Sequence, residues 1–192
     1  MSTTEIKIGG LGGQGVILAG MIIGRGASIY DGKHASLTQA FGPEARGSAC
    51  SAQIIISDEP IEYPYVTRPD ILVVMSQEAC NRFVVETAPS GTLIYEADLV
   101  QPVNVEPGIA QHAIPSTRIA EKLQRRLVAN IVIVGFFAGV TDVVGVEALR
   151  ESVKASVPRG TESLNLTAFQ RGYDFAVNSP AGKPNDAVTA TP

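Results

Sequence analysis

The chain has 192 residues, with 15 Lys plus Arg against 19 Asp plus Glu and 45% hydrophobic positions, enough to bury a sizeable core in one compact domain or in one domain with a tail. A formal net charge of -4 without any basic run argues against a general nucleic-acid binder. Two distant cysteines, Cys50 and Cys80, supply neither an iron-sulfur ligand set nor a zinc site, and they read as buried thiols in a reducing compartment.

Residues 1–5 carry no basic n-region and glycines interrupt the apolar stretch that follows, so no secretory signal is expected. The longest apolar run, residues 127–140, contains Asn130, Gly135 and Gly139 and falls short of the roughly 20 residues of a membrane helix. These features predict a soluble cytoplasmic protein with no membrane insertion.

Residues 5–9 alternate as a strand, 10–15 form a glycine loop, and 16–29 read as a helix that is apolar over most of its surface. Residues 34–39 are the expected second strand. The β-branched run 50–56 stops at Ser57-Asp58-Glu59-Pro60, after which Ile61-Glu62-Tyr63 is expected to return as the second arm of a hairpin. Residues 70–75 are the clearest buried strand, and 77–87 follow as a helix capped by Ser76. A strand at 91–95 and another at 109–114 precede a helix from Ser116 or Thr117 through Leu127, with Arg125 and Arg126 at its C-terminal end. Residues 130–140 are apolar on every side, which suits a helix packed on two faces. Val146, Leu149, Val153 and Val157 line one helix closed by Pro158, and Leu166, Phe169, Tyr173 and Val177 line the last. The expected fold is α/β: a Rossmann-like, doubly wound, mostly parallel sheet with flanking helices and one hairpin, over residues 1–177, with 178–192 as a flexible tail.

Gly10-Leu11-Gly12-Gly13-Gln14-Gly15 satisfies GxGxxG between a predicted strand and a predicted helix, the context in which that pattern points to a pyrophosphate. Gly10 permits the turn, Gly12 and Gly13 let backbone amides approach phosphate oxygens, and the helix opening near Val16 presents its positive end. That field is worth roughly 0.3 to 1 kcal/mol for an exposed anion, so Gln14, Arg25 and Arg46 are candidates to add the rest. The competing reading is that the glycines only let the helix pack close to the sheet. An NAD enzyme also needs an acid about 20 residues past the loop to hold the ribose. The strand at 34–39 ends without one, and Asp31 beside Gly32 reads as a turn residue. No Lys-Ser or Lys-Thr closes the loop, which removes the P-loop reading.

The segment 38–48, with Phe41, Gly42, Pro43, Glu44 and Arg46, is a long connection expected at the C-terminal edge of the sheet beside the glycine loop, as a partner or ligand contact or as a solvated turn. No GxSxG occurs, no carboxylate pair has metal spacing, and His112 in an alternating segment reads as a satisfied, partly buried histidine. No catalytic residue and no metal site is assigned: the chain binds rather than reacts.

Four segments in one order, Gly10 to Val16, Gln39-Ala-Phe-Gly-Pro-Glu-Ala-Arg-Gly47, Pro69-Asp-Ile-Leu-Val-Val-Met-Ser-Gln-Glu78, and Pro115-Ser-Thr-Arg-Ile-Ala120 with Ala129-Asn130, together resemble the gamma subunit of 2-oxoacid:ferredoxin oxidoreductases. The likeness is to the small separate gamma chain of 2-oxoglutarate-type and aryl-glyoxylate-type complexes, over residues 6–177. It implies a hetero-oligomer whose other chains bind thiamine diphosphate and iron-sulfur clusters, decarboxylate a 2-oxoacid oxidatively and pass the acyl group to coenzyme A. It also implies that this chain, inactive alone, helps to hold coenzyme A. Gly12, Gly13, Gln14 and Gly15 match at the phosphate end, and Gly42, Pro43 and Arg46 match in the loop facing the catalytic chains. Ser48 departs from the pattern, standing where a glycine often follows the Arg-Gly pair. The alternatives are a stand-alone NAD-binding oxidoreductase and a purely architectural subunit.

Overall fold

A computed structural model of the chain describes residues 3–42 and 47–179. Its centre is a mixed six-stranded sheet of β1 (Thr3–Leu11), β2 (His34–Phe41), β3 (Ala49–Ser57), β4 (Ile71–Val74), β5 (Thr92–Glu96) and β6 (Ala110–Ile114), in the spatial order β2-β3-β1-β4-β5-β6. β1, β4, β5 and β6 run parallel to one another, whereas β3 is antiparallel to both β1 and β2. The α/β class and the parallel half agree with the expectation, and the hairpin is corrected. Its arms are β2 and β3, in register from His34 opposite Ser57 to Phe41 opposite Cys50. Ile61, Glu62 and Tyr63 form no strand and belong to the connection to β4.

The helices are α1 (Val16–Arg25), α2 (Gln77–Phe83), α3 (Ser116–Lys122), α4 (Ala129–Val140), α5 (Val146–Ser156) and α6 (Glu162–Asn178). Period-two alternation sends Ile6, Ile8, Val73, Ile94 and Ile114 to one face, where α1, α3, α4, α5 and α6 pack. Leu72, Val74 and Leu93 face the other side, covered by α2 through Ala79, Cys80 and Phe83. Lys7 also turns to that second face. It is buried against the Phe83 ring, 4.7 Å from the centroid, and ion-paired with Glu86. Ser76 caps α2 as expected, its Oγ accepting the Ala79 N–H.

The apolar helix α4 is buried from Asn130 through Ala138, lying between the sheet and α6. The expected stripe of α6 holds at Phe169, with Leu166 and Tyr173 partly buried against the same core, and is corrected at Val177. Asn165, Ala168, Phe169, Gly172 and Ala176 are its buried residues, while Val177 is exposed, because α6 approaches α4 so closely that small residues are required. A Cβ on Gly172 would strike the Val132 carbonyl and one on Gly135 the Phe169 carbonyl. The helix at 16–29 also changes character: α1 ends at Arg25 and Gly26–Tyr30 continue as one wider π turn. α3 stops at Lys122 rather than reaching Leu127, and Gln124 adopts a left-handed φ of 58° that closes it. Of the expected tail, all beyond Ser179 lies outside the described residues.

Candidate functional site

β1 delivers the chain to the carboxyl end of the parallel strands, where residues 12–15 turn it into α1. Gly13 and Gly15 have φ of 98° and 75°, values that L side chains adopt only under strain. Their reasons for being glycine differ. A Cβ on Gly15 would run into the Asn130 amide, whose Nδ2 donates to the Gly15 carbonyl at 3.2 Å, so this position is set by packing as well as conformation. A Cβ on Gly13 would meet nothing within 4 Å among the described residues. Among the described residues the backbone conformation alone demands glycine there, and none of them fills the space in front of it.

Gln14 holds the loop in shape. Its Oε1 accepts the Leu11 N–H at 2.7 Å and its Nε2 donates to the Met75 carbonyl at 2.9 Å, tying the turn to the end of β4. Gly12 is engaged as well: its N–H donates to the Ser48 carbonyl at 2.8 Å and its carbonyl accepts the Gly47 N–H at 3.2 Å. The amide of Gly42 donates to Ala49 at 2.8 Å. The β2–β3 hairpin loop is thus fastened to the glycine loop, beside which the sequence expected it. Pro43, Glu44 and Arg46 lie outside the described residues. Of the backbone amides singled out for phosphate, that of Gly12 is engaged by the hairpin, while the first turn of α1 carries no side-chain cap.

Gly13 borders two cavities. The larger, about 490 Å³, is lined by Gly12, Gly15, Ile17, Phe41, Ser48 and Cys50. The smaller, about 240 Å³, lies over the ends of β4 and β5 and is lined by Gln14, Met75, Glu96, Thr117, Arg126 and Leu127, among others. Its wall is held by Glu96, 1% exposed, which ends β5. Glu96 accepts the Thr117 N–H at 3.0 Å and the Asp98 N–H at 3.2 Å, and accepts a further hydrogen bond from the Ser116 hydroxyl. Sequence reasoning missed this carboxylate, although an acid placed directly at a strand end was a visible signal.

The cations are redistributed. Arg25 sits at the far end of the 10-residue α1, about 15 Å from the loop at 1.5 Å per residue, beside Ala155 and Ser156. It is corrected out of the site. Arg126, read from sequence as a helix-end charge, lines the smaller cavity with 71% of its side chain exposed. Asp31 behaves as the turn residue expected, accepting the Gly145 N–H at 3.2 Å and pairing with Lys33. The neighbour of β1 on the side where a dinucleotide fold carries its ribose acid is the antiparallel β3, whose end beside the glycine loop is its start, Ala49.

His112 is buried in β6, and His34 is exposed at the start of β2. Among the described residues no group of three or more His, Cys, Asp and Glu side chains could hold a metal ion. Cys50 and Cys80 are buried free thiols, and burial pushes both above the ordinary thiol range. No helix among the described residues is long and apolar enough to cross a membrane.

The family model for pyruvate ferredoxin/flavodoxin oxidoreductase matches residues 5–175. The chain is 45% identical over 174 residues to the 2-oxoglutarate synthase subunit KorC of Methanocaldococcus jannaschii, covering 90% of this chain and 93% of that one. It superposes on the gamma subunit of a keto/oxoacid ferredoxin oxidoreductase from Geobacter sulfurreducens with a TM-score of 0.80 and 38% identity, over 91% of this chain and 96% of the other. The fold also recurs, at 19% identity and a TM-score of 0.84, within the Magnetococcus marinus 2-oxoglutarate:ferredoxin oxidoreductase solved with 2-oxoglutarate, coenzyme A and succinyl-CoA. There 97% of this chain matches 34% of a longer one. The chain belongs to the pyruvate ferredoxin/flavodoxin oxidoreductase family, as a gamma subunit of a multi-subunit 2-oxoacid oxidoreductase.

Proposed function

We propose that this subunit binds the diphosphate of coenzyme A at Gly13 and the first turn of α1, and presents the thiol to a catalytic chain that oxidises a 2-oxoacid, 2-oxoglutarate in the first instance. The observation that carries the reading is Gly13: a left-handed glycine with open space in front of it, at the junction of two cavities at the carboxyl end of the sheet. If the glycines served packing alone, Gly13 would abut a neighbour as Gly10 and Gly15 do.

Coenzyme A fits the residues present. The exposed turn supplies amides for two phosphates, Arg126 supplies a cation, and the flanking cavities accept the two ends of an elongated ligand. Thiamine diphosphate and iron-sulfur clusters belong on partner chains in this reading, since two separated cysteines cannot provide the four thiolates of a cluster. The working place of such a complex is the cytoplasm. Gly12 and Gln14 shape the loop, Gly15 opens the helix, Gly42 anchors the hairpin, and Pro43 and Arg46 remain candidates for the contact with the catalytic chains.

Titrating the assembled complex with desulfo-coenzyme A tests the proposal. Arg126→Gln is expected to weaken binding about tenfold, the worth of one charge-assisted contact. Unchanged affinity, in a variant that assembles normally, overturns the placement of the ligand across Gly13 and Arg126.

A further inference from the structure

β2 is an edge strand whose outer side carries none of the devices that keep edges from pairing. It has no Pro and no Lys, Arg, Asp or Glu, its one ionisable side chain is His34 at the far end, and its register with β3 is unbroken over its whole length. The direction of its backbone groups follows from one hydrogen bond. The Gly42 N–H donates inward to Ala49, and residues two apart in a strand share a direction, so Ser36, Thr38 and Ala40 also turn their polar groups to β3. Ala35, Leu37, Gln39 and Phe41 present N–H and C=O to the open side. The opposite edge differs: Ala110 N–H donates inward to Gly91, which leaves only Gln111 and Ala113 of the five-residue β6 facing outward.

We propose that an extended, uncharged segment of a partner subunit adds to β2 as a seventh strand when the complex assembles. Three observations select that occupant. The edge carries no Lys, Arg, Asp or Glu and no bulge, so recognition rests on main-chain hydrogen bonds with apolar side chains beside Leu37 and Phe41. Phe41, 67% exposed, closes the edge at the wall of the larger cavity, so a strand laid here runs up to the end of the sheet that carries the glycine loop. In the longer chain that contains this fold, about two thirds of the polypeptide is covalently joined to it, an attachment that a separate gamma chain must replace with surface contacts. A second copy on the same edge, related by a two-fold axis, would send the two glycine loops to opposite ends and occupy the edge.

Hydrogen–deuterium exchange resolved to single amides tests this in the full chain and in the complex purified with its partners. Leu37, Gln39 and Phe41 are expected to exchange freely in the separate chain and to slow about tenfold or more in the complex, while Ser36, Thr38 and Ala40 are slow in both. Gln39→Pro removes an outward N–H that β3 does not use, so it should leave the chain folded and lower the yield of complex. Outward amides that exchange equally fast in both states overturn the proposal. So does protection in the separate chain that grows with its own concentration, which assigns the edge to a second copy. Should Gln39→Pro fail to fold, the exchange comparison decides alone.

Discussion

Substitution at Gly13 separates a phosphate site from a packing device, because a Cβ there would meet none of the described residues within 4 Å. Gly13→Ala costs the strain of a φ near 98°, about 1–2 kcal/mol of loop stability. It also pushes a methyl group into the approach of any anion. Gly13→Asp adds a negative charge to the same strain. At about 5 Å from a phosphate and an effective dielectric near 40, each pair of unit charges repels by about 1.7 kcal/mol. The apparent KM for coenzyme A should therefore be about 15-fold or more higher for the Asp variant than for Ala. Raising the salt to about 1 M contracts the screening length to roughly 3 Å and should remove most of that gap.

The assay is 2-oxoacid-dependent reduction of an acceptor by the assembled complex, with coenzyme A varied. A control without coenzyme A follows oxidation of the 2-oxoacid alone, which neither variant should slow. If Gly13→Asp keeps the coenzyme A kinetics of the parent complex, the loop holds no phosphate and serves only to join β1 to α1. If the Asp and Ala variants suffer equally at low salt, the loss is conformational and the electrostatic part of the reasoning fails.

Further outcomes follow from other parts of the molecule. Gly172→Ala should destabilise the chain by about 3 kcal/mol or more in urea denaturation, since its Cβ would strike the Val132 carbonyl, although the same change in an exposed helix stabilises by about 1 kcal/mol; a loss below about 1 kcal/mol would mean that α4 and α6 can separate cheaply. Burial raises the Cys50 and Cys80 thiols, so the stability gained by keeping them protonated is complete below the ordinary thiol value of 9.0 and declines as pH rises beyond it. Tyr95, raised by burial and secondarily by the Cys80 charge, acts in the same sense, and a melting temperature that holds constant from pH 8 to about pH 11 would contradict this assignment. The purified single chain should reduce no acceptor with any 2-oxoacid, and turnover by it alone would place reactive groups here that two cysteines and two histidines do not supply.

What the sequence made legible was local. The alternation of residues 5–9, the apolar run 70–75, the Ser76 cap and the glycine loop each act over a few residues, and each appears where its spacing put it. The misreadings of strand pairing and of the α6 face share one cause, a partner distant in the chain. Residues 50–56 were expected to pair with Ile61-Glu62-Tyr63 because a turn signal stands between them, yet β2 offers an uninterrupted run of register partners and wins. α6 was read from its large apolar residues, which holds for Leu166, Phe169 and Tyr173, but the closest approach to α4 is made at Gly172 and Ala176, and Val177 is left in solvent. Arg25 and Arg126 were misplaced for a local reason instead. The length of α1 carries one away from the loop, and the early stop of α3 at Gln124 brings the other to the cavity.

The inserted hairpin also bears on which ligand the loop suits. In a dinucleotide fold the strand beside β1 runs parallel to it and ends with an acid that binds the ribose hydroxyls. Here that place is taken by β3, running the other way, so the position next to the glycine loop is filled by Ser48, Ala49 and Cys50 instead of a strand terminus with a carboxylate. An acid there would favour the free ribose of NAD and would repel the ribose of coenzyme A, which carries a 3′-phosphate. Reversing one strand therefore removes the group that discriminates against a phosphorylated ribose, while the feature that serves both ligands, the glycine turn at a helix start, is retained. The same reversal brings the hairpin loop against Gly12, so the loop that faces the proposed ligand and the loop proposed to face the catalytic chains are joined by backbone hydrogen bonds at 2.8 and 3.2 Å. Ligand binding on one side and subunit contact on the other are then mechanically linked, and a substitution that loosens Gly47 or Ser48 should disturb coenzyme A affinity only to the extent that it also disturbs assembly.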